Sequence, residues 1–363
     1  MIIESLKLKD YRNINKVEIN FDESINIIYG LNGQGKTNLV ESIDFLSSLK
    51  SFRGDQVESL IKVDSDFSLI EAYFNETSIK HQVRLVLSNK GVKITFDKQE
   101  LKKNSDFIGI FNVITFSPSD VTIFKDSPKR RREFLDDEIS KMSPSYYHLL
   151  LEYRKVLKER NELLKQDNFD KMFLDVLTKR ISQLNLEILK RRYDFIDKLN
   201  EILKDKFKEV SKIEKEVVIE YESFVNKDEV NNETIYQKLK DKYEEDLKYK
   251  STQLGIHRDD LLFKIDDKPL SVFASQGQMR LCIIATKLAL LDLSYKSTGS
   301  RAIVVFDDVL SELDEIRQTQ ILEKVPKDNQ IFITCAQSKE QIKRLLKKGK
   351  MFKMTDGQLE TEE

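Results

Sequence analysis

Cysteine is scarce: Cys282 and Cys335 are the only two in 363 residues, and with no C-x-x-C spacing or His/Cys cluster they point to no zinc or redox centre. Both read as ordinary thiols. Long apolar runs are missing too, since none approaches the roughly 20 residues of a membrane span. The start, Met1-Ile-Ile-Glu-Ser-Leu-Lys7, carries charge too early for a secretory signal. A cytoplasmic location without membrane contact is the expectation. An excess of one charge is also absent: 61 basic residues face 62 acidic ones, for a net charge of −1. The whole molecule therefore has no basic field to draw it to nucleic acid, and any DNA contact has to come from a local patch. What is present is 40% hydrophobic and 34% charged residues, enough for a core beneath a highly charged surface. The length exceeds one ordinary domain, so two lobes are expected.

The most informative stretch is Ile25-Asn-Ile-Ile-Tyr29 running into Gly30-Leu-Asn-Gly-Gln-Gly-Lys-Thr37. It reads as a buried strand ending in a phosphate-binding loop. Gly30, Gly33 and Gly35 let the backbone curl so that N–H groups of the loop, Leu31, Asn32 and Gln34 included, aim at phosphate oxygens. Lys36 would reach the β- and γ-phosphates, and the Thr37 hydroxyl would ligate Mg²⁺. Leu39, Ile43 and Leu46 then recur at helical spacing, so the loop opens a helix whose N-terminal dipole adds to anion binding.

Upstream, Ile2 to Leu8 and Val17 to Phe21 look like paired strands, with Arg12 in their connection either reaching a phosphate or solvated at the surface. Downstream, Phe67 to Phe74, His81 to Leu87 and Gly91 to Phe96 suit half-buried antiparallel strands, and Ile110 to Phe116 a buried one. From about 127 to 215 the texture turns helical. One stripe holds Leu149, Tyr153, Val156, Arg160 and Leu163; another runs from Leu177 to Ile202. Two helices of roughly 40 residues, each spanning about 60 Å, are predicted. Glu216 to Phe224 reads as a strand, Asn232 to Lys250 as a helix, and Asp260 to Ile265 as a strand.

A second cluster follows. Ser275, Gln276, Gly277 and Gln278 precede a long apolar helix, with Ser275 as N-cap and Gly277 as a backbone opening toward something anionic. Ala302-Ile-Val-Val-Phe306 runs into Asp307 and Asp308, which places two carboxylates at the C-terminal edge of a buried parallel strand. Asp307 would hold Mg²⁺ and Asp308 would polarise the attacking water. Ser311-Glu-Leu-Asp314 comes next, and Gln330 to Thr334 supplies another strand.

The order of these motifs resembles the ABC-type ATPase heads and, within them, the SMC-like RecF family. The likeness covers essentially the whole chain. It rests on Leu8 to Asn13, Gly30 to Thr37, Ser51-Phe-Arg53, Phe116-Ser-Pro118 and Ser127 to Asp136, and on Tyr153 to Asn161, Gly255-Ile-His-Arg-Asp-Asp260, Ser275 to Gln278 and Asp307 to Asp314. It implies an α/β fold: a P-loop mixed sheet with an antiparallel β subdomain and an inserted helical lobe. Residues 1–120 would begin the ATPase lobe, 121–255 form the helical lobe, and 256–363 return to the core. It also implies that Ser275 and Gly277 cap ATP held by a second copy, that Asp314 approaches the partner's P-loop, and that ATP closes a homodimer which hydrolysis releases. DNA binding at gaps or single-strand/double-strand junctions, RecO and RecR as partners, and RecA loading are implied as well.

Two departures from ABC heads stand out. Their second acid is usually Glu, whereas RecF-like chains and this one carry Asp308, whose shorter side chain predicts slow hydrolysis. The usual switch histidine is replaced by Thr334-Cys335. Lys129, Arg130, Arg131 and Arg132 sit at a helix start, where cations oppose the dipole. They serve either DNA phosphates or pairing with Asp136, Asp137 or Glu138. Arg53, Lys190, Arg191 and Arg192 are weaker DNA candidates. An ABC transporter ATPase subunit is the alternative reading; the helical insert, the absent histidine and the antiparallel start speak against it.

Overall fold

In the computed structural model, residues 1–76, 78–212, 214–336 and 349–362 are described. They form two compact units: residues 1–121, 209–212 and 283–363 make the first, and 122–208 with 213–282 the second.

The first unit holds two six-stranded sheets. In one, the strands Gln358–Glu362, Lys350–Thr355, Ile25–Tyr29, Ile331–Cys335, Ile303–Asp307 and Val113–Phe116 lie in that spatial order. All are parallel to their neighbours except Gln358–Glu362, which pairs antiparallel on the edge. The three central strands are almost wholly buried runs of Ile, Val and Phe, the pattern of a sheet covered on both faces. The strand ending at Thr334-Cys335 lies between the P-loop strand and the Asp307 strand, so the C-terminal ends of three parallel strands lie side by side. The second sheet is antiparallel, built from Ile2–Tyr11, Ile14–Asn20, Phe67–Glu76, Ile79–Ser88, Gly91–Phe96 and Gln99–Glu100.

The helix Lys36–Ser48 anchors the loop before it. Its Leu39, Ile43 and Leu46 are fully buried in one cluster with Ile28, Val305 and Phe332. At about 1.5–3 kcal/mol per buried side chain, this packing outweighs any local preference of the loop and fixes where it sits.

The second unit is mostly helical, and here the expected lengths change. Instead of two helices of about 40 residues there are three: Pro128–Met142, Pro144–Leu164 and Lys171–Ser211. Pro144 has no N–H to continue the preceding helix and starts the next, with Ser143 non-helical between them. Only the last, at 41 residues, reaches about 60 Å. Asn232–Asp241 and Tyr243–Tyr249 replace the single helix expected there. The buried strand expected over Ile110 to Phe116 is confined to Val113–Phe116.

The chain was expected to return to the ATPase core at residue 256, whereas the compact units place 256–282 with the helices. The reason is pairing: Asp260–Ile265 lies antiparallel to Val217–Glu222 along its whole length. The helix Gln276–Thr298 begins in the second unit and ends in the first. Among the described residues no helix is long and apolar enough to cross a membrane.

Candidate functional site

The loop between Tyr29 and Lys36 is braced from its outer side. Gln34 accepts from the Gly357 N–H through its carbonyl (3.0 Å) and from the Asp356 N–H through its side chain, so the turn of the C-terminal hairpin buttresses it. Gly30, at φ +149°, lies so close to this hairpin that a Cβ would stand 2.3 Å from the Met354 carbonyl oxygen; only glycine fits there. Gly33, at φ +82°, faces open space, and Leu31, Asn32 and Gly33 are exposed. Lys36 is buried and donates to the carbonyls of Gly30 and Leu31, both at 2.8 Å. Burial pulls its ammonium below the usual lysine range, with Asp308, Cys335 and Asp307 opposing. A desolvated cation beneath an exposed loop whose Gly33 faces open space is suited to a multiply charged phosphate chain.

Asp307 ends its strand buried, and its Oδ1 accepts from the hydroxyls of Thr37 and Thr334, each at 2.8 Å. Burial pushes the Asp307 carboxyl above its usual range, and these two hydrogen bonds pull it back. Asp308 turns away into the left-handed region at φ 53°, where its N–H donates to the Thr334 hydroxyl at 3.0 Å. Ser311 Oγ donates to the Asp308 carbonyl (2.6 Å) and side chain (2.9 Å).

Thr37 and Asp307 together fit magnesium: hard oxygen donors side by side at the mouth of the loop. Among the described residues no cluster of three or more His, Cys, Asp or Glu could hold a metal by itself. Magnesium at nucleotide sites is commonly taken through one or two protein oxygens, with the remainder from phosphate and water.

The other expected site residues have the following surroundings. The Arg12 guanidinium forks onto buried Glu41 (3.0 and 2.7 Å) and also donates to Asp55 (2.5 Å) and the Ser59 carbonyl (3.2 Å). The arginine pins the first hairpin to the P-loop helix, because the fully buried Glu41 carboxylate needs a cation. Asp314 caps the helix Glu315–Lys324, accepting from the Arg317 N–H at 2.9 Å. Ser275 and Gln278 form a reciprocal capping box: Ser275 Oγ accepts from the Gln278 N–H (3.2 Å), and the Gln278 side chain accepts from the Ser275 N–H (2.9 Å). Gln276 and Gly277 lie exposed in that first turn, and a Cβ on Gly277 would meet only Ser275 Oγ, at 3.9 Å.

The basic run separates into two kinds of residue. Arg131 forks onto Asp260, with both bonds at 2.7 Å, and Arg132 donates to the Asp259 carbonyl at 2.7 Å. Lys129 and Arg130 stay exposed, 3.8 and 3.9 Å from Glu133. None of the three acids expected as partners takes Arg131. Asp136 is instead held by Arg192 (2.8 Å) and Tyr146 (2.6 Å). Arg192, expected as a weak DNA candidate, is 1% exposed and serves this network, also reaching the Tyr221 hydroxyl and the Ile256 carbonyl. Arg191 donates to Ser145, while Lys190 and Arg53 are exposed.

His257 belongs to the same buried region, with Nδ1 2.7 Å from the Tyr153 hydroxyl and Nε2 3.1 Å from the Thr252 carbonyl. Donation from Nε2 to the carbonyl leaves Nδ1 as acceptor, so the ring is satisfied neutral. Burial lowers its pKa to about 4. Because the unfolded histidine binds a proton near pH 6.5, its contribution to stability is present above that pH and lost as pH falls toward 4. Relative to His257→Gln, the wild type should lose about 3 kcal/mol between pH 7 and pH 4. Urea unfolding of both proteins at several pH values checks this; a pH-independent difference refutes it. In the opposite sense, burial raises Asp259 to about 6, so the wild type alone shows a flatter profile than either group would give.

Comparison with known proteins places this geometry in a family. The family profile described as RecF/RecN/SMC N terminal domain matches residues 2–360. The DNA replication and repair protein RecF of Halalkalibacterium halodurans is 37% identical, with 99% of each chain covered. RecF of Lachnoclostridium phytofermentans is 35% identical, again with 99% of each chain covered. A solved structure of the recombination mediator protein RecF with ATP, in the RecFOR pathway, superposes with a TM-score of 0.93 at 30% identity, covering 100% of this chain and 98% of that one. An Smc head, at 15% identity and a TM-score of 0.56, shares the fold. With its P-loop, paired acids and capped glycine turn, the chain belongs to the RecF family of DNA replication and repair proteins, ABC-type ATPases.

Proposed function

We propose that the chain is an ATP-driven clamp on DNA: two copies close around ATP, hold gaps or single-strand/double-strand junctions without reading sequence, and release on slow hydrolysis. In this reading it acts with RecO and RecR to promote RecA loading. Membership in the RecF family sets aside the transporter alternative.

The observation that carries the clamp is the signature turn. Ser275 is capped within its own helix, yet Gly277 has room for a side chain that the chain leaves empty. A glycine with no steric reason inside the chain leaves its backbone open to close approach from outside, here by the γ-phosphate end of ATP on the second copy. Exposed apolar residues flank the nucleotide motifs: Leu31 in the P-loop is 75% exposed, Val272 and Phe273 before the signature 72% and 60%, and Ile316 after Asp314 69%. Such side chains are suited to burial between copies.

At the site, Lys36 would leave the carbonyls of Gly30 and Leu31 for the β- and γ-phosphates, while the loop amides orient the chain. Thr37 and Asp307 would hold magnesium, which supplies charge neutralisation on the phosphates. Asp308 would then take up the attacking water, and its one-methylene deficit relative to Glu makes this step slow. Lys129, Arg130 and Arg53, whose heads are exposed, would meet DNA phosphates.

DNA titrations with and without ATP, combined with sedimentation, test the reading. In the wild type, ATP should raise both DNA affinity and the dimer fraction. Lys36→Met should weaken ATP binding by about 100-fold, the loss of two charge-assisted hydrogen bonds to phosphate. Ser275→Arg should bind ATP as a monomer. The clamp fails if ATP alters neither DNA affinity nor the monomer–dimer ratio of the wild type.

A further inference from the structure

We propose that Thr334 is a positioning residue: one hydroxyl sets both acids of the nucleotide site. Thr334 is 1% exposed and sits on the central strand, opposite Asp307 on one side and Ile28 on the other. Its neighbours Ile331, Phe332 and Ile333 are buried and apolar, so a valine would serve the strand equally well. The hydroxyl is what distinguishes it.

That hydroxyl has a single proton and spends it on Asp307 Oδ1, at 2.8 Å. Its lone pair therefore takes the Asp308 N–H, at 3.0 Å. The two bonds run in one direction, from the Asp308 backbone through Thr334 to the Asp307 carboxylate. At Asp308 the chain leaves the strand for a left-handed conformation, and its N–H can no longer join the sheet ladder. Thr334 supplies that missing acceptor, and its β-branched side chain has little χ1 freedom with which to lose it. The other donor to Asp307 Oδ1 is Thr37, whose oxygen is the group offered to the metal. Without Thr334, the Asp307 carboxylate is aimed only by a partner that the ion itself recruits, and the turn carrying Asp308 is released at the same time.

This inference rests on the assignment of Asp307 to the metal, so the test carries a control for that assignment. Binding of a fluorescent ATP analogue is titrated with Mg²⁺ for the wild type, Thr334→Val, Thr334→Ala, Thr334→Ser and Asp307→Asn, with thermal melts to verify folding. The hydroxyl is deleted in two forms so that the outcome does not hang on one variant folding. Val and Ala should raise the Mg²⁺ midpoint by about 10- to 100-fold, the usual effect of removing a hydrogen-bond partner of a metal ligand. Binding without Mg²⁺ should stay within about twofold, since the loop and Lys36 are untouched. Ser should restore the midpoint. An unmoved midpoint in Val and Ala while Asp307→Asn shifts it overturns the role of Thr334 alone; an unmoved midpoint in Asp307→Asn overturns the metal assignment with it. A Ser variant as impaired as Val would show that shape, and not the hydroxyl, is what counts.

Discussion

In the proposed clamp, Asp308→Asn is expected to lower ATP turnover by about 10³-fold while leaving ATP-driven dimer formation intact, because a group that polarises the attacking water typically contributes 10²–10⁴-fold to rate. The substitution keeps the shape of the side chain. Its Oδ1 can still accept from Ser311, at 2.9 Å, and the backbone N–H that meets Thr334 is untouched. Asn at φ 53° is as well tolerated as Asp, so the turn should persist. What disappears is the negative charge. With ATP still bound and the water no longer polarised, dimers should accumulate on DNA and dissociate slowly after dilution. Steady-state phosphate release and dimer lifetime measure the two halves separately. Unchanged turnover would assign the water to another group.

Arg192→Met is expected to destabilise the second unit by about 3–5 kcal/mol, the cost of removing one partner from a buried ion pair. Among the described residues, Arg192 is the cation that bridges both Asp136, at 2.8 Å, and Asp259, at 3.6 Å. Methionine fills much of the space but leaves both carboxylates in low dielectric without that charge. Arg192→Lys should recover only part of the loss, since a point charge cannot also meet the hydroxyls of Tyr146 and Tyr221 and the Ile256 carbonyl. The sign of the pH effect follows. Asp259 already titrates near 6, and without the cation it rises further, so protonation relieves the variant. The penalty should therefore be smaller at pH 5 than at pH 7.5 in urea unfolding. Equal penalties at the two pH values would mean that lost packing, and not unpaired charge, is the cause.

The motifs readable in the chain are those whose physics is confined to a few consecutive residues. Glycine spacing sets the curl of the loop at Gly30 to Gly35, and a buried β-branched strand delivers Asp307 and Asp308 to its end. The Ser275–Gln278 capping box needs only three residues' separation. The apolar stripes showed that residues 127–215 are helical, but not where the stripes break, because a proline such as Pro144 can start a helix as readily as end one.

Arginines are the opposite case. Lys129 to Arg132 look alike along the chain, yet Arg131 finds Asp260 across 129 positions while Lys129 and Arg130 lie exposed near Glu133, on their own helix. Arg192 and Arg12 differ from surface cations through partners far along the chain, among them Asp136 and Glu41, 56 and 29 positions away. A charge in a run has no period that reveals its partner; helix and sheet pairing choose it. Thr334 is the sharpest instance. The absence of histidine at that position was visible, but its hydroxyl acquires meaning only when the parallel sheet sets its strand beside Asp307. Local sequence chemistry was enough to mark the glycine loop, the paired acids and the capped turn, because each is signalled by residues a few positions apart, while packing of the following helix fixes where the loop sits. Tertiary folding alone decided which charges are buried, which stay exposed, and which hydroxyl meets both acids, because those depend on groups that only long-range pairing brings within 3 Å.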